Sequence, residues 1–413
     1  MSEIIKKPRG TSDYLFNDAE VFEEVRNSLL TLAKKYGCFY IMVPTYEEGK
    51  LFHRTAGESS DIVAKETFDI IRKGDKDYTL RPEFTAGINR AIIENKLYAS
   101  PDMPLRISYF GPAFRYDRPQ KGRLREFNQF GVEFIDTTLD INTIIDCLIF
   151  SYNAVKKITN KDVKVKLNYL GSFASREEYK EELKKYFAKK IDSMCDDCKR
   201  RLEVNPLRIL DCKVKEDQLI ASKAPKINDY LNKEDSVRFK QITQVLDKLK
   251  INYEIDSQLV RGLDYYTGLV WEIYSIDDES QIALGGGGQY SSLSKDIGGP
   301  PLDGIGFSLG IERLLLTMSK EIKSSIDIVI IDNKKDASIF DIVSTLREEG
   351  FSLSIVSASR SLQGGLKMAD RLNASYAIIV DEENYKIKKL DTREQIEVDK
   401  KGLLKYFSEV SHA

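Results

Sequence analysis

Phe114-Arg115-Tyr116-Asp117-Arg118-Pro119-Gln120-Lys121-Gly122-Arg123-Leu124-Arg125-Glu126-Phe127-Asn128-Gln129-Phe130-Gly131-Val132-Glu133 is the stretch on which the reading of this chain turns. Between Arg115 and Glu126, five cations (Arg115, Arg118, Lys121, Arg123, Arg125) face two carboxylates, Asp117 and Glu126. Pro119 and Gly122 mark a loop between two apolar runs. After the loop the residues alternate. Phe130, Val132 and Phe134 fall on one face of a strand, and Gln129, Gly131 and Glu133 on the other. The pattern predicts a β-hairpin with a cationic tip and a polar floor notched by a glycine. A polyphosphate suits the arginines, and a smaller polar ligand suits the region of Glu133. A solvated basic hairpin is the plainer alternative, but solvation gives no reason for two polar side chains flanking a glycine on one strand face.

Composition bounds the rest. A chain of 413 residues with 42% hydrophobic content can bury more than one core. No run approaches the ~20 apolar residues of a membrane span, and Met1 to Lys7 carries no apolar signal core. Five cysteines, an odd number in a long chain, are read as reduced thiols in a cytoplasmic setting. A net charge of −2 requires any nucleic-acid partner to be met by local basic patches. His53 and His412 are the two histidines, which leaves few candidates for a histidine base.

Working outward, residues 15–36 carry helical periodicity through Val21, Val25, Leu29, Leu32 and Ala33. Cys38 to Pro44 reads as a strand, and residues 47–66 as a polar loop. Phe68 to Ile71 and Tyr78 to Leu80 read as a hairpin around Lys73-Gly74-Asp75, followed by a helix over 85–97. Residues 172–250 turn lysine- and glutamate-rich with helical spacing, which suggests an inserted helical module between two strand-rich regions. From 326 onward, strands and helices alternate, which implies a small α/β unit with a mixed sheet, reached through a linker at Ser319–Ser325.

Four further segments carry chemistry. Leu80-Arg81-Pro82-Glu83-Phe84-Thr85-Ala86-Gly87 passes from a strand into a helix, where Thr85 fits an N-cap and Glu83 a helix-entry acid. Leu259 to Gly268 holds Arg261 beside Gly262, then Tyr265 and Tyr266 before a strand. Leu284-Gly285-Gly286-Gly287-Gly288-Gln289-Tyr290 is either a close backbone approach to a ligand or a flexible turn. Gly304 to Arg313 runs from a strand into a helix and ends on an arginine.

The Arg118-Pro119-Gln120-Lys121-Gly122-Arg123 hairpin, the 80–87 segment, the Arg261–Tyr266 peptide and the 304–313 segment together resemble histidyl-tRNA synthetases, a family of class II aminoacyl-tRNA synthetases. The resemblance runs from Pro8-Arg9-Gly10-Thr11-Ser12-Asp13 to the C-terminal region. It implies an α+β fold: a class II antiparallel sheet flanked by helices, an inserted helical module, and a C-terminal α/β anticodon-binding domain. The implied domains are 1–171 and 251–322 for catalysis, 172–250 for the insertion, and 326–413 for the anticodon. The implied reaction joins L-histidine to ATP and passes it to histidine tRNA in a homodimer, with Mg²⁺ arriving on ATP.

Roles follow from the same resemblance. Arg115 and Arg261 would be the catalytic pair at the α-phosphate. Glu83, Thr85, Gln129, Glu133, Arg261, Tyr265 and Tyr266 would hold histidine. Arg115, Arg123 and Arg313 would hold ATP, with Arg313 stacked on adenine. Gln120 and Arg125 would meet the tRNA acceptor end. Asp117, Glu126 and Asn128 stand where bacterial members commonly have glutamate, glutamine and histidine. Gln289 and Ser291 flank Tyr290 where the family usually has Arg-Tyr-Asp.

Cys195-x-x-Cys198 with Cys212 invites a zinc reading, but no fourth ligand is evident in the sequence, so unligated thiols and no protein metal cage are expected. A second functional class is a non-catalytic paralogue serving as regulatory subunit of ATP phosphoribosyltransferase. That paralogue lacks the anticodon-binding domain, which residues 326–413 would supply here.

Overall fold

The structure is a computed structural model. It describes residues 4–56, 65–70, 77–277, 282–318, 326–334, 337–357, 359–381 and 384–411. These fall into two compact units, one drawn from residues 1–13 and 22–320, the other from 14–21 and 321–413.

The first unit is built on eight strands: β1 (Phe39–Tyr40), β5 (Leu105–Phe114), β6 (Glu126–Asp136), β7 (Val163–Tyr169), β8 (Tyr253–Ile255), β9 (Tyr266–Ser275), β10 (Gly285–Tyr290) and β11 (Asp303–Gly310). Their order in the sheet is β1-β5-β6-β11-β10-β9-β7-β8. The β1–β5 and β7–β8 pairs are parallel, and the five pairings between them are antiparallel. A small sheet of β2 (Tyr46–Glu48), β3 (Phe68–Ile70) and β4 (Tyr78–Leu80) stands beside it.

The hairpin expected from 114–133 is β5–β6, with Gly111 opposite Gln129 and Ile107 opposite Glu133. Its alternation is realised on two buried faces. Phe130, Val132 and Phe134 join the main core, in which the helix Ile141–Thr159 is packed through Ile144, Leu148, Phe150 and Val155. Asp140 caps that helix by accepting from Asn142 N at 2.7 Å and Thr143 N at 3.0 Å, an arrangement worth about 1 kcal/mol. On the opposite face Tyr109 and Ile107 pack with Phe84 and with Ile88 and Ile92 of the 85–94 helix that follows it. The polar notch therefore sits between a sheet and a helix, both held by apolar burial.

Three expectations are corrected. Cys38 to Pro44 pairs as a strand only at Phe39–Tyr40, because the Val43 and Pro44 carbonyls turn to accept from Arg81 at 2.8 and 3.1 Å. Within 47–66, residues Gly49–Ala56 form a helix that buries Leu51 and Phe52 against Ala86. The helix expected over 85–97 ends at Glu94, where Lys96 takes a left-handed φ of 55°. The Lys73-Gly74-Asp75 tip and the Ser319–Ser325 linker lie outside the described residues.

The insertion is helical as expected, with Phe173–Ala188, Asp196–Val204, Lys215–Ala221 and Lys233–Lys248. A separate small core fills its centre, including Tyr179, Leu183, Phe187, Leu202 and Ile209. The second unit has a five-stranded sheet, ordered β13 (Leu353–Ile355), β12 (Ile328–Asp332), β14 (Tyr376–Val380), β15 (Tyr385–Lys389), β16 (Gln395–Val398). β12 is parallel to β13 and β14, while β15 and β16 are antiparallel additions. Separate apolar clusters cover its two faces, which matches the alternating pattern read from sequence.

Candidate active site

Glu83 lies just before the Thr85–Glu94 helix, and its carboxylate accepts from Thr85 N at 2.5 Å and Ala86 N at 2.9 Å. Thr85 is therefore not the N-cap expected of it. Its hydroxyl instead donates across to Glu133 Oε1 at 2.6 Å. The Tyr290 hydroxyl donates to the other oxygen, Oε2, at 2.8 Å, and Asn89 Nδ2 approaches the Tyr290 hydroxyl at 3.4 Å. Two glycines make the space. A Cβ on Gly131 would stand 2.2 Å from the Tyr109 hydroxyl, and one on Gly306 would stand 2.1 Å from Glu133 Oε2.

Burial sets the electrostatics. Glu133 is 2% exposed. Desolvation pushes its carboxyl up to about 8, against the lowering hydrogen bonds of Thr85 and Tyr290 and with repulsion from Glu83. Burial also raises Glu83, opposed by the two helix N–H groups and by Arg115. Tyr265 and Tyr266 stand with this pair. Tyr265 packs edge-on to Tyr290 with ring centroids 5.7 Å apart, and both tyrosines are raised by burial and feel Glu133 and Glu83.

Beside this pocket is a cavity of about 410 Å³ lined by Arg115, Arg123, Arg261 and Arg313, with Gln129 at its floor. Each arginine is aimed by a fixed partner. Arg115 Nε donates to Pro82 O at 2.9 Å, and Arg261 Nη1 pairs with Glu272 Oε1 at 2.6 Å. Arg313 Nε donates to Gly122 O at 2.9 Å and Nη1 to Ala283 O at 2.7 Å, which holds its guanidinium plane. Gly122 can reach that position because its φ of 70° is one a side chain rarely adopts. Burial, then repulsion by Arg123, Arg115 and Arg261, lowers the pKa of Arg313. Such crowding of like charge disfavours the empty cavity and favours a polyanion in it. Gln129 Oε1, at the seam of pocket and cavity, is buried without a hydrogen-bond partner among the described residues.

The glycine run is a strand rather than a flexible turn. β10 lies so close to β9 that a Cβ on Gly286 would meet Trp271 O at 2.4 Å and Arg261 Nη1 at 2.7 Å. Gln289, at an unusual position, accepts from Leu269 N at 2.8 Å and fills the space beside Gly268. Asn128 donates to Glu312 through its backbone N at 2.9 Å and its side chain at 3.0 Å. Gln289 thus ties β10 to β9, and Asn128 ties β6 to the helix Ile311–Thr317. At the hairpin tip, Arg123 pairs with Asp117 at 3.0 Å. Arg125 stacks on Tyr116 at 3.8 Å and donates to Asp117 O, while Gln120 is exposed.

Sequence reasoning missed Tyr290, Tyr109 and Asn89, which reach the pocket from three separate elements. It also missed the insertion's share of the cavity wall, Arg201, Arg208, Asp211 and Lys213. Arg208 Nη1 donates to the Arg261 carbonyl at 2.7 Å. The run Asn205-Pro206-Leu207-Arg208 was the available signal, a proline-started turn carrying an arginine inside a helical module.

Comparison with known proteins turns this geometry into a lineage. The family model described as histidyl-tRNA synthetase matches residues 10–314, and one described as an anticodon binding domain matches 326–410. The chain belongs to the histidyl-tRNA synthetase family. It is 40% identical over 408 residues to the histidine–tRNA ligase of Thermosipho melanesiensis, covering 96% of each chain. It is 40% identical over 419 residues to that of Staphylococcus carnosus, covering 98% of each. The structure of apo S. aureus histidyl-tRNA synthetase superposes with a TM-score of 0.81 at 33% identity, over 98% of this chain and 100% of that one. A Bacillus halodurans structure titled ATP phosphoribosyltransferase regulatory subunit/histidyl-tRNA synthetase shares the fold, with a TM-score of 0.67 at 19% identity. Membership carries with it the class II fold and ATP as a substrate. No helix among the described residues is long and apolar enough to cross a membrane.

Proposed function

We propose that this chain is a histidine–tRNA ligase whose pocket binds L-histidine through Glu133 and whose cavity binds ATP. The observation that carries the reading is the nearness of two unlike sites: a buried carboxyl pair, Glu83 and Glu133, of which Glu83 feels the charge of Arg115, and a cavity walled by Arg115 and three further arginines. Glu133 accepts an imidazole N–H, with Tyr266 as the partner for the second ring nitrogen. Glu83 and Thr85 meet the α-ammonium group, and the unpartnered Gln129 oxygen faces the same group.

The chemistry needs no histidine base. The substrate carboxylate is ionised at neutral pH. Its oxygen attacks the α-phosphorus, the new O–P bond forms, and the bond to the β,γ-pyrophosphate breaks. Arg115 and Arg261 neutralise charge gathering on the phosphoryl oxygens, and their fixed partners remove the cost of organising them during reaction. Arg313 lies flat against adenine. Mg²⁺ would supply further neutralisation when it arrives on ATP, and the carboxylates on the cavity wall, Glu272 and Glu312, are those that Arg261 and Asn128 already engage. In the second step a hydroxyl at the tRNA 3′ end attacks the acyl carbon and AMP leaves.

Residues 326–413 are assigned to the anticodon and residues 172–250 to an insertion that closes the cavity wall. Gln120 and Arg125 are assigned to the acceptor end. A homodimer through β1 is supported by a bare sheet edge where Phe39 is 72% exposed and Met42 80%. The regulatory-subunit alternative is disfavoured by the matched anticodon domain and by Arg115, Arg261 and Arg313 on one cavity. Charging of histidine tRNA with labelled histidine tests the proposal. Failure to acylate that tRNA, with ATP and Mg²⁺ present, would remove it.

A further inference from the structure

The insertion contains a second cluster that this function does not use. Cys195, Cys198, Cys212 and Asp217 bring their donor atoms within 4.8 Å of one another. The residues come from two short segments. Cys195 precedes the 196–204 helix and Cys198 sits in its first turn, while Cys212 and Asp217 bracket the start of the 215–221 helix. The donor absent from the sequence pattern is thus a carboxylate five residues beyond Cys212. Asp217 is 1% exposed, Cys198 fully buried and Cys212 3% exposed, with Cys195 at the rim. What meets the buried carboxylate is the Cys212 thiol at 3.3 Å and Cys195 N at 3.1 Å.

We propose that these four side chains form a closed structural zinc site. A tetrahedral ion with Zn–S bonds of about 2.3 Å separates its sulfurs by about 3.8 Å, and Cys195 Sγ lies 3.8 Å from Cys212 Sγ. Val214 N donates to Cys212 Sγ at 3.5 Å, which orients that sulfur. Three thiolates and one carboxylate select a borderline-soft ion and leave no open position, so the site holds structure and does no chemistry. Its place in the fold gives it a purpose. The module's core is small, and small units gain most from a metal staple. Asp211 and Lys213 flank Cys212 on the cavity wall, and Arg201 follows Cys198 by one turn. Zinc would pin this wall against Arg261 through Arg208.

The test is metal analysis of the full chain, purified under reducing conditions without chelator. The expected result is one zinc per chain. Replacement by Co²⁺ should give tetrahedral d–d bands and a thiolate-to-cobalt charge-transfer band. Cys198→Ser should lose the metal, Asp217→Asn should lose most of it, and Asp217→Cys should retain it. If Cys198→Ser does not fold, the metal content and cobalt spectrum of the natural chain still decide. A chain free of bound metal that gives no charge-transfer band on Co²⁺ addition would overturn the proposal. So would a Cys195–Cys212 disulfide found after alkylation at lysis.

Discussion

Tyr290 donates a hydrogen bond of 2.8 Å to Glu133, 157 residues away, and so joins strand β10 to strand β6 across β11 inside the pocket. With Thr85 on the other oxygen, both oxygens of Glu133 already have donors before any ligand arrives. Two donors favour the ionised form, yet burial still outweighs them and holds the carboxyl near 8. The fold therefore keeps a buried acid, protonated at neutral pH, at its own expense.

That expense can be measured without substrate. A carboxyl raised from 4.5 to about 8 on folding keeps a proton that the unfolded chain has released. Stability from this group is complete below the unfolded value and declines as pH rises through the folded one. The decline corresponds to on the order of 5 kcal/mol. Glu133→Gln should therefore raise Tm relative to the natural chain, and the gap should widen from about pH 5 to about pH 8.5. The same variant should lose roughly 10²-fold in kcat/KM for histidine, the worth of a hydrogen bond to a charged group. Thermal melts across that range check the first result, and pyrophosphate exchange checks the second. A gap that narrows with pH would remove the buried-carboxyl account.

Tyr290→Phe takes away one donor to the ionised form and should move the Glu133 carboxyl further upward. The KM for histidine should rise about tenfold while the KM for ATP stays unchanged. The fall in histidine KM with rising pH should shift to higher pH. An unaltered pH profile would show that Tyr290 supports packing alone.

Arg115→Ala and Arg261→Ala should each slow histidine activation by ~10²- to 10³-fold. Arg261→Ala also leaves Glu272 without its 2.6 Å partner, so a companion melt is needed to separate folding from chemistry. Either variant, folded and exchanging within a few-fold of the natural chain, would contradict its assigned role.

The second unit predicts a division of labour. Replacing the anticodon of histidine tRNA should lower the efficiency of charging and leave histidine-dependent pyrophosphate exchange untouched. Base-specific reading of unstacked anticodon bases would produce that pattern. Equal charging of the natural and altered tRNAs would end the anticodon assignment for residues 326–413.

Much of the catalytic unit was legible because its signals are local. The alternation from Gln129 to Phe134 and the cations from Arg115 to Arg125 are contiguous, and strand periodicity alone assigns their faces. The tail was legible for the same reason, since each strand and helix there carries its own apolar pattern. What escaped depends on separation. Tyr290 reaches Glu133 only through the β10–β11–β6 order, and nothing near Tyr290 in sequence announces that partner. Arg208 reaches Arg261 only because the insertion folds back over the Arg261–Tyr266 peptide. Asp217 was passed over for the opposite reason. It is near Cys212, but metal-ligand spacing is legible only among cysteines and histidines, and an aspartate in a charged helical module carries no mark of burial. The Gly49–Ala56 helix was missed because Leu51 and Phe52 are too few to set a period.

The central claim is that the Glu133 pocket and the arginine cavity together activate histidine and no other amino acid. ATP–pyrophosphate exchange measured with each of the twenty amino acids tests it most directly. The account predicts exchange with histidine alone, because a buried pocket built around an imidazole N–H leaves its own polar groups unpaired with other side chains. Exchange with a different amino acid, or with none of the twenty, would contradict it.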